Sequence, residues 1–377
     1  MKIAILSCFY PYRGGISQFN AALLDELGRH GAEVRAFNFK RQYPELLFPG
    51  KTQYVTADDQ TAPVQSTAVL DTVNPLSYFT TYRKIRQWGP DVVIVRYWMS
   101  WFAPSLGYVT RHLRRHGIKV ISILDNVVPH EPHFFDRPLT SWFLKGSDAC
   151  ITLCEAVADD LRAIRKDLPC KVLPHPLYTH FGEKLSRDKA LTALGLDPSC
   201  HTLLYFGLIR EYKGLDILLD AFPLLPEQYQ LIIAGEPYGS FEPYARRIEA
   251  MDEGRRNRIF TRLEYISDAD VKYFFSGADL CVLPYRSATQ SGVSAISFHF
   301  EVPMLVTDTG GLKETIADTG TGLLAESCTA QAIASGIERY FSNGSVAAEC
   351  RKNIEIQKDR LSWKTFADSL LSFINSL

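Results

Sequence analysis

Short apolar runs alternate with amphipathic stretches along most of the chain, and the alternation starts a second time at Leu203. The first round opens with KIAILS and the turn FYPYRGG. It continues with a stretch that is apolar at helical spacing as far as Gly31, and then with EVRAFNF. Such a βαβ arrangement needs parallel strands joined by a crossover helix, and its ligand sites lie at the carboxyl ends of the strands. Two rounds within 377 residues predict an α/β fold with two Rossmann-like domains.

The domain boundary is predicted near residue 180, because Pro176–Ser199 carries Gly, Pro and charges and has no strand pattern. This gives an N-terminal domain over residues 1–180 and a C-terminal domain over 181–355. The last segment, 356–377, contains LSWKTFADSLLSFINSL, which has helical spacing. That helix need not belong to the domain that it follows.

Composition excludes several classes of protein. Hydrophobic residues make up 46% and charged residues 22%, which is typical of a globular chain. The most apolar stretch, around Val92–Val109, is interrupted by Arg96 and is no membrane span, and the N-terminus is typical of a buried strand, not of a secretion signal. Eight cysteines without a CxxC pair indicate a reduced, cytoplasmic protein without a disulfide framework or a zinc site.

Charge is unevenly distributed. Residues 1–180 carry 21 Lys and Arg against 16 Asp and Glu, a net +5, whereas the remainder carries 20 against 26, a net −6. The asymmetry indicates an N-terminal domain that faces something anionic, but no dense basic stripe suggests nucleic-acid binding. The stretch SWFAPSLGYVTRHLRRHG joins an aromatic start to Arg111, Arg114 and Arg115, so peripheral contact with an anionic membrane is one hypothesis. A buried amphipathic helix with a solvated basic end is the favoured alternative.

The first strand-to-helix turn contains Gly14 and Gly15 in YRGGIS. Two glycines let the backbone approach a ligand closely, at a helix N-terminus whose N–H groups favour anions. The turn lacks the GxGxxG pattern of dinucleotide-binding dehydrogenases. A tight turn that merely needs positive φ is an equally good interpretation.

A second loop, LDNVVPHEPH, follows the strand that ends near Ile123. It places Asp125, Asn126, His130 and Glu131 at a strand's carboxyl end. A histidine there can donate a hydrogen bond to a substrate hydroxyl or accept its proton. A loop histidine bonded to backbone is the plainer interpretation, and a structural role is favoured for His175 in VLPHP.

In the second half, YFGLIREYKGLDILL places Arg210 and Lys213 between a strand and a helix that begins near Gly214. Two fixed cations at that place can hold a diphosphate, the arginine with its planar fork and the lysine as a point charge. Exposed loop cations without a role are common, so the pair by itself is a weak indication.

Two further loops of the second half follow strands and open helices. LPYRSATQSGVS presents free N–H groups at a helix that starts with SGVS, and TDTGGLKE has Gly310 and Gly311 at the next turn. Together with the Arg210 loop, they converge on one rim of a parallel sheet. Three convergent loops predict an anion site much more strongly than any one of them.

The motifs FGLIREYKGLDILLDAF, IIAG and LPY…SGV…VPMLVTDTGGLKE, in that order, resemble the C-terminal domain of family-4 retaining glycosyltransferases of the GT-B fold. RGGIS and VLPHP resemble the N-terminal half of the same family, so the resemblance covers essentially the whole chain. It implies two facing Rossmann-like domains with a cleft between them and a final helix that returns to the first domain. It further implies a nucleotide-sugar donor on the C-terminal domain, an acceptor on the N-terminal one, no metal, and no cofactor besides the donor.

The resemblance also implies roles for individual residues. Catalytic roles fall on His130, which would face the donor sugar, and on Arg210 and Lys213, the diphosphate pair. Segment 264–266 corresponds to the backbone that reads the base, and 291–293 to the loop whose N–H groups meet the phosphates. The implied donor-binding residues are Gly14, Gly15, Glu264, Tyr265, Ile266, Gln290, Ser291, Gly292 and Val293.

One departure from the family concerns two glutamates, eight residues apart, that most members carry near the sugar and the ribose. Counting back from VPML places these positions at Ala288 and Ile296, and aligning on SGV places them at Gln290 and Phe298. Either way the ribose carboxylate is missing, although Gln290 can replace the first glutamate as a neutral hydrogen-bonding group. Asp125 also stands where a histidine is often found.

The expected function is therefore metal-independent transfer of a sugar, with retention, to a glycan or lipid-linked acceptor in polysaccharide or glycolipid biosynthesis. A DxD-type metal motif is not evident, since the single DAD at Asp268–Asp270 opens a helix. One alternative is a nucleotide-sugar-binding protein without transferase activity, which the missing glutamate favours. A GT-B epimerase or phosphorylase is a third possibility. An epimerase needs acid–base carboxylates and a phosphorylase needs a pyridoxal lysine, and the sequence offers no clear candidate for either.

Overall fold

The computed structural model describes residues 1–44, 53–55, 63–128, 133–177, 181–288, 291–342 and 344–377. Over these residues the chain forms two compact units. Unit 1 contains the described residues as far as Pro176 together with Leu361–Leu377, and unit 2 contains Leu177–Arg360. The chain therefore returns to unit 1 for its last helix.

Within the described residues of unit 1, seven parallel strands form one sheet in the order β3-β2-β1-β4-β5-β6-β7. The strands are β1 (Lys2–Leu6), β2 (Glu33–Arg41), β3 (Ser66–Asp71), β4 (Val92–Tyr97), β5 (Lys119–Leu124), β6 (Ala149–Thr152) and β7 (Cys170–Val172). The helices are α1 (Gly15–Arg29), α2 (Pro75–Trp88), α3 (Ala103–Arg115), α4 (Asp136–Leu144), α5 (Glu155–Ile164) and, at the end of the chain, α14 (Trp363–Ser376).

Both faces of the unit 1 sheet are covered, which explains why its strands are continuous apolar runs. In β1, Ala4 and Leu6 point into one hydrophobic core while Ile3 and Ile5 point into another. Helix α14 belongs to the second core, where α1 contributes Phe19. The Phe19 ring packs edge-on against the rings of Trp363 and Phe366, with centroids 4.9 and 5.6 Å apart. This is the returning helix that the resemblance implied.

Unit 2 repeats the architecture. Its described residues form a six-stranded parallel sheet in the order β10-β9-β8-β11-β12-β13. The strands are β8 (His201–Phe206), β9 (Tyr229–Ala234), β10 (Ile259–Arg262), β11 (Leu280–Leu283), β12 (Met304–Val306) and β13 (Gly322–Leu324). The helices are α6 (Arg187–Leu194), α7 (Leu215–Ala221), α8 (Glu242–Glu249), α9 (Glu253–Arg256), α10 (Val271–Gly277), α11 (Gly292–His299), α12 (Ala330–Ser342) and α13 (Gly344–Arg360).

Each sheet reverses its strand order once, and this confirms the predicted pair of Rossmann-like domains. In unit 1 the reversal lies between β1 and β4, and in unit 2 it lies between β8 and β11. Ligands of open α/β sheets bind outside the carboxyl ends of the strands at such a reversal. A ligand site of unit 2 is therefore expected at the loops after β8 and β11. Across the part of the chain that the structure describes, no helix is both long and apolar enough to span a membrane.

Candidate functional site

Gly207, the first residue after β8, is where separate loops of unit 2 meet. Its φ of 100° favours glycine. A Cβ at this position would lie 3.3 Å from Lys213 Nζ and 3.4 Å from Val293 Cγ2. The structure therefore brings Lys213 and the first turn of α11 together, although the sequence predicted them from motifs about eighty residues apart.

Lys213 ends a single turn of 3₁₀ helix, Glu211–Lys213, and Gly214 follows it with φ 68°. A Cβ on Gly214 would lie 2.0 Å from the carbonyl oxygen of Pro284, so only glycine lets the turn sit against the loop after β11. The lysine is thus held by backbone contact between two loops. The backbone of Lys213 is therefore fixed by the packing of the turn against the loop after β11.

Arg286 joins the same two loops by hydrogen bonds, a role that the sequence motifs did not indicate. Its backbone N–H donates to the carbonyl of Tyr212 at 2.7 Å. Its guanidinium donates to both oxygens of Asp216 at 2.8 and 2.5 Å, and to the carbonyl of Glu211 at 2.8 Å. The paired guanidinium holds the pKa of Asp216 below its ordinary value, although burial acts in the opposite direction. Arg286 is therefore a positioning residue for the turn that carries Lys213.

The Lys213 ammonium lacks a carboxylate partner among the described residues. Its Nζ lies 5.6 Å from the ring centroid of Tyr285. Burial, and then the charge of Arg210, lower the pKa of Lys213 to about 8. An ammonium in this environment is stabilised when an anion arrives, so the arrangement suits binding of a phosphate group.

Arg210 is oriented by an aromatic ring from the neighbouring loop. Its guanidinium carbon lies 3.7 Å from the ring centroid of Tyr238, a close cation–π contact. The two loops are joined by backbone hydrogen bonds of 2.9 Å, from Ile209 N–H to the Glu236 carbonyl and from Tyr238 N–H to the Ile209 carbonyl. Tyr238 is 39% exposed, and the sequence motifs did not indicate it.

The first turn of α11 carries the predicted residues Ser291, Gly292 and Val293. Ser291 is the N-cap residue, and its side chain does not cap the helix by a hydrogen bond. Its hydroxyl instead lies 3.4 Å from the Tyr285 hydroxyl. The helix therefore presents backbone N–H groups beside Lys213, an arrangement that favours anions. Gln290, predicted next to them, lies outside the described residues.

The predicted base-reading segment, Glu264 to Ile266, follows β10, the strand next to β9. Glu264 is exposed and pairs with Arg262 at 2.8 Å, while Ile266 is buried. The segment lies at the carboxyl edge of the sheet, on the side away from α11. Its role as the base reader stays a prediction.

The positions of the missing glutamates are apolar or lie outside the described residues. Ala288 and Ile296 are both buried, and so is Phe298. The next carboxylate along the chain, Glu301, is committed elsewhere. It bonds Lys358 at 2.8 Å and Lys184 at 3.0 Å. No side chain of α11 therefore supplies a carboxylate at either aligned position.

In unit 1, Gly14 precedes α1 with φ 102°, and Gly15 is the first residue of the helix. The positive φ explains the need for glycine at position 14, which agrees with the interpretation as a tight turn. A Cβ on Gly14 would have no atom within 4 Å, so the turn faces open space. A ligand role for Gly14 and Gly15 stays a prediction.

Of the loop after β5, His130 and Glu131 lie outside the described residues. Asp125 lies in the described part and is 7% exposed. It accepts two hydrogen bonds from Arg96, at 2.7 and 2.5 Å, and Arg96 is itself only 2% exposed. Asp125 therefore serves as the buried counter-ion of Arg96, a structural task.

His175 stands beside that ion pair, in the role that the sequence favoured. Its ring packs edge-on against Phe19 at 5.1 Å, and its Nδ1–H donates to the carbonyl of Pro176 at 2.6 Å. Burial, and then the Arg96 charge, lower the pKa of His175 to about 4. The ring is therefore neutral at physiological pH and holds the chain where it leaves unit 1.

Metal-ligating side chains do not gather in the described ranges. No group of three or more His, Cys, Asp or Glu residues there is arranged to hold a metal ion. Metal independence of the reaction stays a prediction.

Two family models match the chain, one in each half. The model described as glycosyl transferases group 1 matches residues 186–357, and the model described as glycosyl transferase 4-like domain matches residues 14–174. The first match contains Arg210, Lys213 and the start of α11. The second contains the turn at Gly14.

Curated relatives are similar over about half of their own length. A D-inositol 3-phosphate glycosyltransferase of Pseudarthrobacter chlorophenolicus is 27% identical over 193 residues, which are 50% of this chain and 46% of that protein. A glycogen synthase of Thermus caldophilus is 30% identical over 246 residues, which are 62% of this chain and 53% of that protein. The chain thus spans about half the length of these relatives.

Solved structures match over the full length. HepE of Anabaena in complex with UDP covers 100% of both chains, with a TM-score of 0.78 and 16% identity. Sucrose-phosphate synthase of Thermosynechococcus elongatus covers 100% of this chain and 99% of its own, with a TM-score of 0.75 and 18% identity. At these identities the likeness concerns the fold.

Proposed function

This chain belongs to the group 1 glycosyltransferases of the GT-B fold, and we propose that it transfers a sugar from a nucleotide-diphosphate sugar to an acceptor hydroxyl. One observation carries the proposal. The Lys213 ammonium, which lacks a carboxylate partner among the described residues, and the first turn of α11 lie beside Gly207 at the strand-order reversal of unit 2, and the charge of Arg210 acts on the same ammonium. A diphosphate is the ligand that this combination of charge and N–H groups fits best.

The proposed mechanism is electrostatic. As the bond between the sugar and the diphosphate breaks, negative charge develops on the leaving phosphate, and Lys213 and Arg210 stabilise it. The acceptor hydroxyl attacks from the same face of the sugar, and an oxygen of the leaving phosphate takes its proton, so the anomeric configuration is retained. His130 orients the donor sugar. The two cations take the place of a divalent metal, so none is required.

The donor and acceptor follow from the same assignment. The nucleotide lies on unit 2, with the backbone of Glu264 to Ile266 against the nucleotide base, and the acceptor lies on unit 1. HepE of Anabaena, which has the same fold, was solved with UDP-glucose, which supports a nucleotide sugar as the class of donor. A glycan or a lipid-linked sugar is the proposed class of acceptor.

A panel of nucleotide sugars with uridine, guanosine, adenosine and thymidine bases tests the proposal, with release of the nucleoside diphosphate as the readout. We expect one donor to be turned over, with a rate that an acceptor increases and that EDTA leaves unchanged. The variant Lys213→Ala should lower the rate of diphosphate release. Lys189→Ala is its matched control, because Lys189 is an exposed lysine on α6 of the same unit. A strict requirement for manganese or magnesium would contradict the proposed role of the two cations.

A nucleotide-sugar-binding protein without transferase activity is the second candidate. The buried apolar side chains of Ala288, Ile296 and Phe298 favour it, because no carboxylate is available there for the ribose. The two candidates differ in one measurement. Binding of a donor in a thermal-shift assay, with no diphosphate release in the presence of any acceptor, would favour the second.

We also propose that the protein works in the cytoplasm, with peripheral contact to the membrane. All eight cysteines are free thiols, which agrees with a reducing compartment. The apolar residues of α3, including Leu106, Val109 and Leu113, are buried in unit 1. Contact with lipid would therefore depend on the basic end of this helix, and co-sedimentation that is equal for neutral and anionic vesicles would contradict it.

A further inference from the structure

Among the described residues, four cations line a cavity of about 450 Å³ in unit 1. Arg111, Arg114 and Arg115 lie at the carboxyl-terminal end of α3, and Lys145 directly follows α4. The cavity therefore joins positive charge from two helices that are about thirty residues apart in the chain.

Most of this charge is not neutralised. Arg114 pairs with Asp148 at 2.6 Å. Within the described ranges, neither Arg111, Arg115 nor Lys145 forms an ion pair. The Nε of Arg111 is buried without a hydrogen-bond partner, and burial, followed by the charge of Arg115, lowers the pKa of Arg111. Like charges held together in this way destabilise one another unless an anion separates them.

The cluster is held by close packing between the two helices. The Arg111 guanidinium stacks on the ring of Trp142 at 3.9 Å and also donates to the carbonyl of Trp142. A Cβ on Gly107 would lie 2.2 Å from Trp142 Cζ3, and a Cβ on Gly146 would lie 2.2 Å from Thr110 Oγ1. Two glycines thus permit the approach that brings Lys145 to the arginines.

Helix polarity alone does not account for the cluster. Cations are favoured near the carboxyl-terminal end of a helix, where the carbonyl groups are unpaired. That effect explains arginines in the last turn of α3. It also favours Lys145, which is the C-cap residue of α4. It does not explain why the two helix ends meet, nor why the Nε of Arg111 is buried.

We infer that this cavity binds a phosphate-bearing anion, at a site separate from the one around Gly207. The arginines offer planar donors that match phosphate oxygens, and the lysine adds a point charge. The phosphate could belong to a soluble anion or to a lipid headgroup, since both present the same oxygens. The inference does not depend on sugar transfer, because none of the four cations belongs to the proposed diphosphate site.

Equilibrium dialysis with radiolabelled pyrophosphate at fixed ionic strength tests the inference. We expect two saturable sites per wild-type chain. The variant Arg115→Gln/Lys145→Gln should remove or weaken one of them by about tenfold or more, the size expected for lost charge-assisted contacts. Lys213→Ala should remove only the site around Gly207. The two variants therefore distinguish failure of the further inference from failure of the proposed function. Both substituted side chains of the double variant are exposed, and each single variant should give an intermediate loss.

A matched control replaces two exposed lysines of unit 1 that do not line the cavity, as Lys40→Gln/Lys166→Gln. It should keep both sites within about twofold of wild type, because diffuse charge is screened at physiological salt. If the two double variants lose pyrophosphate equally, or if wild type shows a single site that Lys213→Ala abolishes, the inference is wrong.

Vesicles identify the source of the phosphate. Phosphatidylglycerol in phosphatidylcholine is compared with oleate in phosphatidylcholine, at an oleate content that gives the same zeta potential, so that the surface charge is equal but the added anion carries no phosphate. Binding to phosphatidylglycerol alone, reduced by Arg115→Gln/Lys145→Gln and displaced by pyrophosphate, assigns the site to a lipid headgroup. Pyrophosphate binding without vesicle binding assigns it to a soluble anion. Equal binding to both anionic vesicles, unchanged in the double variant, together with no second pyrophosphate site, overturns it.

Discussion

Each unit carries an arginine at the carboxyl edge of its sheet, and the two units treat that charge in opposite ways. In unit 1, Arg96 is buried over the ring of Phe19, at 3.9 Å, and the Asp125 carboxylate neutralises it. In unit 2, Arg210 lies on the ring of Tyr238, and Lys213 stands beside it with a lowered pKa. Unit 1 satisfies its cation inside the fold, whereas unit 2 leaves its cations to a ligand.

The difference teaches that net charge is a poor guide to where an anion binds. The first 180 residues are net positive and the remainder is net negative. Nevertheless, the proposed diphosphate site lies in the negative half, because Arg210 and Lys213 form no ion pair with the described residues there. What matters is which charges the fold leaves unpaired at close range.

The largest expected effect is on the neutralised side of the comparison. Replacing Asp125 by Ala would leave the Arg96 guanidinium buried without its counter-ion, which typically costs about 3–5 kcal/mol of unfolding free energy. Urea denaturation of Asp125→Ala measures it. The double variant Arg96→Leu/Asp125→Leu should recover much of the loss. Wild-type stability with lost transfer would instead mark Asp125 as a functional group.

On the unpaired side, Lys213→Ala should leave the fold intact and slow the reaction. The ammonium interacts most strongly when the leaving phosphate gains charge, so kcat should fall more than donor KM rises. Loss of about 2–4 kcal/mol of transition-state stabilisation corresponds to about 30- to 1000-fold. Arg210→Lys should also be impaired, since an ammonium lacks the planar fork. A folded Lys213→Ala protein with wild-type rates would place the phosphate site elsewhere.

The next largest effect should be on the pH dependence of the unfolding free energy, which the uncompensated Lys213 in unit 2 should dominate above pH 8. The pKa of Lys213 is about 8 in the fold and near its ordinary value when unfolded. Between these values the unfolded chain holds the extra proton, so wild-type stability rises with pH through this window. Relative to Lys213→Met, we expect wild type to be less stable by about 1–3 kcal/mol below pH 8, and the gap to close by about pH 10.5. A constant gap would contradict a half-buried, uncompensated ammonium.

Tyr238 should give the smallest effect, because it acts through Arg210. Cation–π contacts at exposed sites contribute about 0.5–1 kcal/mol, so Tyr238→Ala should lower kcat/KM by about two- to fivefold. Tyr238→Phe keeps the ring and should behave like wild type. The informative test adds Arg210→Ala, since the tyrosine change should then have no further effect. An undiminished effect in that background would indicate that the ring contacts the donor directly.

Buried elements were the easiest to predict from the sequence. The first strand, expected in KIAILS, and the strand expected to end near Ile123 are present as β1 and β5, because their apolar runs reflect burial directly. The edge strand β3 and helix α6 were missed. In β3 only Val69 and Leu70 are buried, and in α6 only Ala190 and Leu191 are, so neither shows a periodic apolar face.

The site could be predicted only as far as local motifs reach. The sequence predicted that the loop of Lys213 and the helix start at Val293 converge on one rim of the sheet. Their contact at Gly207 depends on the order of the strands, which the motifs do not contain. Tyr238 and Arg286 act through contacts with loops formed by distant parts of the chain. No local pattern marks a residue whose role is to orient another one.

The glycines around Gly207 also bear on how such a protein can change its donor in evolution. A Cβ on Gly235 would lie 2.0 Å from the carbonyl oxygen of Gly207, and one on Gly214 would lie 2.0 Å from that of Pro284. At these two positions of the proposed phosphate site only main-chain atoms fit, so a point mutation cannot introduce a side chain there. Under the proposed function, inherited variation in donor choice has to accumulate at the rim instead, at side chains such as Tyr238 and Glu264. The shared diphosphate end stays constant while the recognised nucleotide and sugar diverge.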